Sequence, residues 1–204
     1  LSMIFSSCRK GNWKPENTIK GYIEYYDVVH YGHANHTDVY LKSISDSIVK
    51  QTSTTYFGKF EFNNNWPTHV FVQAGVGGLA GSLTHMIRMN WKKQPKIIVI
   101  EPEAAPCLLK SAKNTTPVAV TGPLSNMGRL VCKKPSLIAL NILTKSDVEY
   151  LTVSDDEATN ATKKLAENEV HTTPSGAAGF AGLIKYNLPI NAQPLVIITE
   201  GVLS

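Results

Sequence analysis

From residue 67 onward the chain switches between two hydrophobic periods. Three short apolar runs stand out: Thr68–Gln73 ("THVFVQ"), Lys96–Glu101 ("KIIVIE") and, near the end, "PLVIITEG". The first two read as buried strands, the second a parallel one, and the third closes the pattern with a further strand. Glu149–Val153 is a shorter strand of the same set. Between them the spacing turns helical. Leu79–Trp91 puts Leu79, Leu83, Met86 and Ile87 on one face, and Glu103–Lys113 and Pro135–Lys145 follow the same pattern. Ser154 with Glu157 forms a capping box that opens a helix running to about Asn168. "HTTPSGAAGFAGLIKY" reads as a loop and then a helix of small residues. Strands alternating with helices of this length predict an α/β fold, a parallel sheet with helices on both faces.

Residues 1–66 differ. They are rich in Tyr, Ser, Thr, Asn and His, and their periodicity is weak. Val39–Val49 ("VYLKSISDSIV") is expected to form a helix, and Asn63-Asn64-Asn65 a loop or joint. The chain therefore divides into an N-terminal segment, 1–66, with no assigned role, and an α/β domain, 67–204.

Composition narrows the function only by exclusion. The net charge is +4, but the lysine pairs at 92–93, 133–134 and 163–164 are scattered, so no nucleic-acid surface is expected. No apolar run approaches the ~20 residues needed to cross a bilayer. The opening "LSMIF" is too short for a signal-peptide core, so a cytoplasmic protein is expected. Cys8, Cys107 and Cys132 are far apart and form no C-x-x-C, which points to reduced thiols. The three Asn-x-Thr triplets then count as chance. His30, His33 and His36 are spaced by three, but Gly32 and Asn35 between them argue for a polar loop over a helical metal site, and no metal is expected.

The one stretch that suggests chemistry is "PTHVFVQAGVGGLAGSL", residues 67 to 83. A strand ends in a glycine cluster and a helix begins. Successive backbone N–H groups and the helix N-terminus converge there on a partly positive point suited to a phosphate. Glycine lets the backbone approach without a Cβ in the way. A tight turn with no ligand is the competing reading. No Gly-Lys-Ser/Thr follows, so this is not a P-loop, while Glu101 lies at a spacing that leaves a dinucleotide open.

"QAGVGGLAG", "VIEPEAAPCLLKS", "TGPLSNMGRLVCKKPSLIAL", "TTPSGAAGFAGL" and "VIITEG", in that order, together resemble the C-terminal half of the diaminopropionate ammonia-lyase family. These are pyridoxal-phosphate (PLP) enzymes of the tryptophan synthase β-like fold, which also includes threonine dehydratases and cysteine synthases. The resemblance runs from about Pro67 to Gly201, so the chain looks like a partial member. It implies that the cofactor phosphate sits on Gly75, Val76, Gly77, Gly78 and Leu79, and that Thr199 faces the pyridine nitrogen. A neutral hydroxyl there leaves the nitrogen largely unprotonated, which favours expulsion of a β-substituent. Ser175 and Gly176 match the turn that lines the substrate carboxylate, or serve as a helix N-cap with close helix packing, or do both. Glu101 either orients the glycine loop or caps the next helix.

The reaction implied is α,β-elimination of ammonia from 2,3-diaminopropionate, ending in pyruvate and a second ammonia, with a small amino acid as substrate; a homodimer is compatible with this. The family's Schiff-base lysine motif, similar to "FGLNAFK", and its "GNHG" loop are not found; Asn35-His36 lies too close to the glycine loop to match the latter. Lys42 and Lys59 lack supporting context, so the catalytic lysine is unassigned. Val131 and Lys134 stand where the family usually has Asp and Glu. Two alternatives follow: a non-catalytic member without the lysine, and a threonine or serine dehydratase.

Overall fold

Val70–Val72, Ile97–Ile100 and Leu195–Ile198 are all buried, and they form the centre of one parallel sheet. The computed structural model describes residues 66–114 and 116–200, together with the backbone of three strands within the first 43 residues. Those strands are β1 (Ser2–Ser6), β2 (Tyr26–His30) and β3 (Val39–Ser43). There follow β4 (His69–Gln73), α1 (Gly78–Asn90), β5 (Lys96–Pro102), α2 (Cys107–Asn114) and α3 (Leu137–Thr144). Then come β6 (Glu149–Val153), α4 (Asp155–Ala166), α5 (Pro174–Lys185) and β7 (Pro194–Thr199).

The five-stranded sheet has the order β1-β7-β4-β5-β6, and every pairing in it is parallel. Alternate residues of each strand feed two cores. Val70, Val72, Ile97, Val99, Leu195 and Ile197 pack with α1, α2 and α3 through Leu83, Ile87, Leu108 and Leu143. Phe71, Ile98, Ile100, Val196 and Ile198 pack with α4 and α5 through Ala158, Ala161, Leu165, Ala177 and Ala181. Helices thus cover both faces, as a parallel sheet requires.

Three expectations change: the helix expected from Glu103 begins only at Cys107, His30, expected in a polar loop, ends strand β2, and one expected helix opens as a strand. Val39–Ser43, expected to open a helix, is a strand paired antiparallel to Tyr26–His30, with Val39 opposite His30 and Ser43 opposite Tyr26. Val39 and Tyr40 favour extended backbone, and "YDVVH" supplies the partner that local periodicity could not reveal. The rest of that expected helix, residues 44–49, lies outside the described residues, as do Asn63-Asn64-Asn65, Asn35-His36, His33, Lys59 and Cys8. Among the described residues no helix is long and apolar enough to cross a membrane.

Helix starts follow their caps. Ser154 Oγ accepts from Glu157 N at 3.1 Å while Glu157 Oε2 accepts from Ser154 N at 2.8 Å, which is the reciprocal capping box of α4. That helix ends at Ala166, two residues short of the expected end.

Candidate functional site

The carboxyl ends of β4 and β7 lie side by side, because the two strands pair in parallel from His69 and Pro194 onward. This edge carries the glycine loop. Residues 74–77 leave Gln73 and lead into α1, held by hydrogen bonds from the elements around them. Ala74 N donates to Ile100 O at 2.8 Å, Ser136 N donates to Val76 O at 2.8 Å, and Cys107 Sγ donates to Gly75 O at 3.5 Å.

Gly77 is the N-cap of α1, with φ 97° and ψ 2°. A Cβ at this position would lie 3.0 Å from Ala139 Cβ and from both Leu108 methyls, so space and backbone angle both call for glycine. The cap offers no side-chain hydrogen bond, and the first turn holds no acidic residue. The first N–H groups of α1 are therefore presented by a glycine-lined turn with no carboxylate beside them, the condition for an anion to settle there.

Thr199 closes the other side. Gln73 Nε2 donates to Thr199 Oγ1 at 2.7 Å, and Thr172 Oγ1 donates to the Thr199 carbonyl at 2.7 Å. The start of α5 presses on the same strand end: a Cβ on Gly176 would lie 1.8 Å from Thr199 O. The N-cap of α5 is Thr173, whose Oγ1 accepts from Gly176 N at 3.1 Å, with Pro174 in the first turn. Ser175 is not the cap. Its hydroxyl is buried and accepts from Arg129 N at 3.3 Å. Gly75–Gly78, Ser175, Gly176 and Thr199 are thus gathered at one end of the sheet, with Leu79 half-buried in the first turn of α1.

Glu200 leaves the strand altogether, with φ 66°. Its carboxylate accepts from Thr173 Oγ1 and pairs with Arg129 Nε at 3.4 Å, tying the strand end to α5 and to the turn around Arg129.

Glu101 resolves toward one of its two readings. Its oxygens accept from Leu108 N and Leu109 N, each at 2.8 Å, so it caps α2. Burial pushes its carboxyl up to about 7, against the opposing pull of those two N–H groups. Burial and the neighbouring Glu101 push the Cys107 thiol up to about 12, and burial also raises Cys132. Un-ionised thiols of this kind are poor nucleophiles. Val131 is half-buried against the α1–α3 core, and Lys134 is exposed just before α3.

Gln73, Ser136 and the Arg129–Glu200 pair were not singled out from the sequence. Gln73 had a signal: it is the polar residue that ends an apolar strand immediately before the glycine turn. Ser136 precedes a helical run and reads as a cap, which it is for Ala139 N; its hold on Val76 carries no local signature.

The model for the family described as "Pyridoxal-phosphate dependent enzyme" matches residues 19–201. The chain belongs to that family. It is 32% identical over 164 residues to the diaminopropionate ammonia-lyase of Salmonella typhimurium, covering 69% of this chain and 41% of that protein. It is 30% identical over 119 residues to the biosynthetic L-threonine dehydratase of Haemophilus influenzae, covering 58% of this chain and 23% of the relative. Among solved structures it matches the diaminopropionate ammonia lyase of Escherichia coli in complex with an aminoacrylate-PLP azomethine intermediate. That match has a TM-score of 0.57 and 26% identity, over 67% of this chain and 39% of the other. The chain spans about two-fifths of the length of the curated ammonia-lyases it matches. The cofactor of the family is pyridoxal phosphate, and the groups gathered here suit a molecule of that chemistry: a helix start with a left-handed glycine and no carboxylate beside it, and a hydroxyl held at the end of β7.

Proposed function

We propose that this chain forms the cofactor-binding part of a PLP-dependent carbon–nitrogen lyase that eliminates ammonia from 2,3-diaminopropionate or a similar small amino acid. The observation that carries this reading is the meeting of the α1 glycine turn with Thr199 at one end of the sheet, joined through Gln73. The N–H groups of residues 75–79 bind the phosphate. Thr199 Oγ1 faces the pyridine nitrogen, while Ser175 and Gly176 border the substrate carboxylate. When bound, the cofactor supplies the electron sink, and the protein contributes position and electrostatics. No residue of this chain is assigned as the Schiff-base lysine.

A dehydratase acting on threonine or serine is the second reading, favoured by the match to the H. influenzae enzyme. Titrating PLP into the purified chain, followed by its absorbance and fluorescence, tests the binding half. Saturable uptake is expected, and its absence would refute the reading. Pyruvate release from diaminopropionate, set against 2-oxobutyrate release from threonine, separates the two substrates. Uptake of PLP with neither product leaves this chain as a binding, non-catalytic member.

A further inference from the structure

Helix α3 has two working faces. On one, Ala139 lies against Gly77 and Gly81, and Ser136 N donates to Val76 O, so this side holds the glycine turn. Asn141 follows Ala139 by two residues, about 200° further round a helix of 3.6 residues per turn, and so lies on the opposite side. There α2, α3 and the edge strand β6 enclose a cavity of about 580 Å³. Its size falls within the ~300–1,000 Å³ of small-molecule sites. None of its lining residues belongs to the glycine turn or to the group around Thr199, so it is a separate place on the molecule.

The wall is apolar over much of its extent, through Leu140 and Val148 of the α1–α3 core and through Leu137, which stands 65% exposed. Tyr150 is the polar residue that calls for an explanation. It pairs with Val99 and so faces the same core, beneath the helices. Its hydroxyl is buried, yet it has no hydrogen-bond partner among the described residues. Buried tyrosine hydroxyls ordinarily find one. Burial, helped by Glu101, pushes this phenol up to about 12, so it keeps a proton to donate.

Charge narrows the ligand further. Among the described residues that line the cavity, Asp147 alone is charged, and Arg88 and Lys96 already attract its carboxylate from outside. An anion would be repelled by Asp147 and would meet no cation on the wall. An ammonium group would compete with two cations for one carboxylate. A neutral molecule meets neither obstacle and carries no charge to be stripped of water.

We propose that this cavity binds a neutral, mostly apolar small molecule that carries an oxygen acceptor. Its body lies among Leu137, Leu140 and Val148, and its oxygen accepts from Tyr150 Oη.

The test is a 19F NMR titration of the full chain with 2-(4-fluorophenyl)ethanol as the probe. Saturable broadening of the probe signal is expected, and a response that never saturates overturns the proposal. 4-Fluorophenylacetate, an anion of similar shape, is expected to bind at least ~tenfold more weakly; equal affinity overturns the assignment of a neutral ligand. Tyr150→Phe is expected to weaken the alcohol about fivefold without lowering the melting temperature, because the hydroxyl it removes had no partner to lose. Unchanged affinity in that variant overturns the proposal. Asn141→Trp, at an exposed helix position, fills the opening and is expected to abolish binding in a folded chain. Probe binding that survives it lies elsewhere on the molecule and overturns the site. Concentration-dependent self-association that Leu137→Ser abolishes would give the cleft to a second copy of the chain, and the proposal would fall with that result too.

Discussion

Gly77 bears two separate demands. Its φ of 97° costs a residue with a Cβ about 1–2 kcal/mol, and the site has no room for one between Ala139 and Leu108. Overpacking adds about 1–3 kcal/mol. Gly77→Ala is therefore expected to lower the melting temperature and to weaken PLP uptake more than tenfold, since the turn that presents the α1 N–H groups must shift. Gly128→Ala is the control, because nothing lies within 4 Å of a Cβ there. Thermal unfolding and a PLP titration of the two variants check this, and equal effects would contradict the account. Gln73 and Thr199 belong to this scale too, since what joins the two strand ends there is one hydrogen bond of 2.7 Å.

At the scale of elements, α5 is the piece that sets the site against the sheet. Its glycines at 176, 179 and 182 let it lie almost on the strands, but what each would meet differs. A Cβ on Gly176 would strike the Thr199 backbone carbonyl at 1.8 Å, whereas one on Gly182 would meet the tip of the Ile100 side chain at 2.3 Å. Backbone in a parallel sheet cannot yield; a side-chain methyl can turn, at a cost in core packing. The expected order of lost stability is Gly176→Ala well above Gly182→Ala. PLP affinity should fall steeply in the first and little in the second. Chemical denaturation of both variants gives the ranking, and a reversed order would show that α5 slides on the sheet instead of being pinned at Thr199.

For the whole molecule, Glu101 couples global stability to pH. It lies under the sheet end, bound to two N–H groups of α2, and its carboxyl titrates near 7 instead of near 4.5. An acid whose folded value is raised stabilises the fold when protonated. Its contribution is fully present below about pH 4.5 and is lost as pH climbs through about 7, on the order of 3 kcal/mol in total. Melting temperatures measured across this window should carry a component that falls with rising pH. Glu101→Gln removes that component and also lowers stability throughout, because an amide offers one acceptor oxygen to two N–H donors. An unchanged pH slope in this variant would show that Glu101 is ionised in the folded chain across the whole window.

The sequence by itself determined the features set by neighbours along the chain. The three apolar runs became buried strands because β-branched residues in short unbroken stretches have no better place. The capping box at Ser154 formed where its serine and glutamate stand three apart. The glycine turn lies where strand, glycine and helix follow one another. Tertiary structure alone decided what depends on residues far apart. Val39–Ser43 became a strand because another strand was available to pair with it. The order β1-β7-β4-β5-β6 set the first and last strands side by side. Gln73 met Thr199 across 126 residues. Local periodicity records which backbone conformation a segment prefers, but it holds no record of partners. Which hydroxyl faces which amide is decided only when the sheet closes and each buried polar atom must take the neighbour it is given.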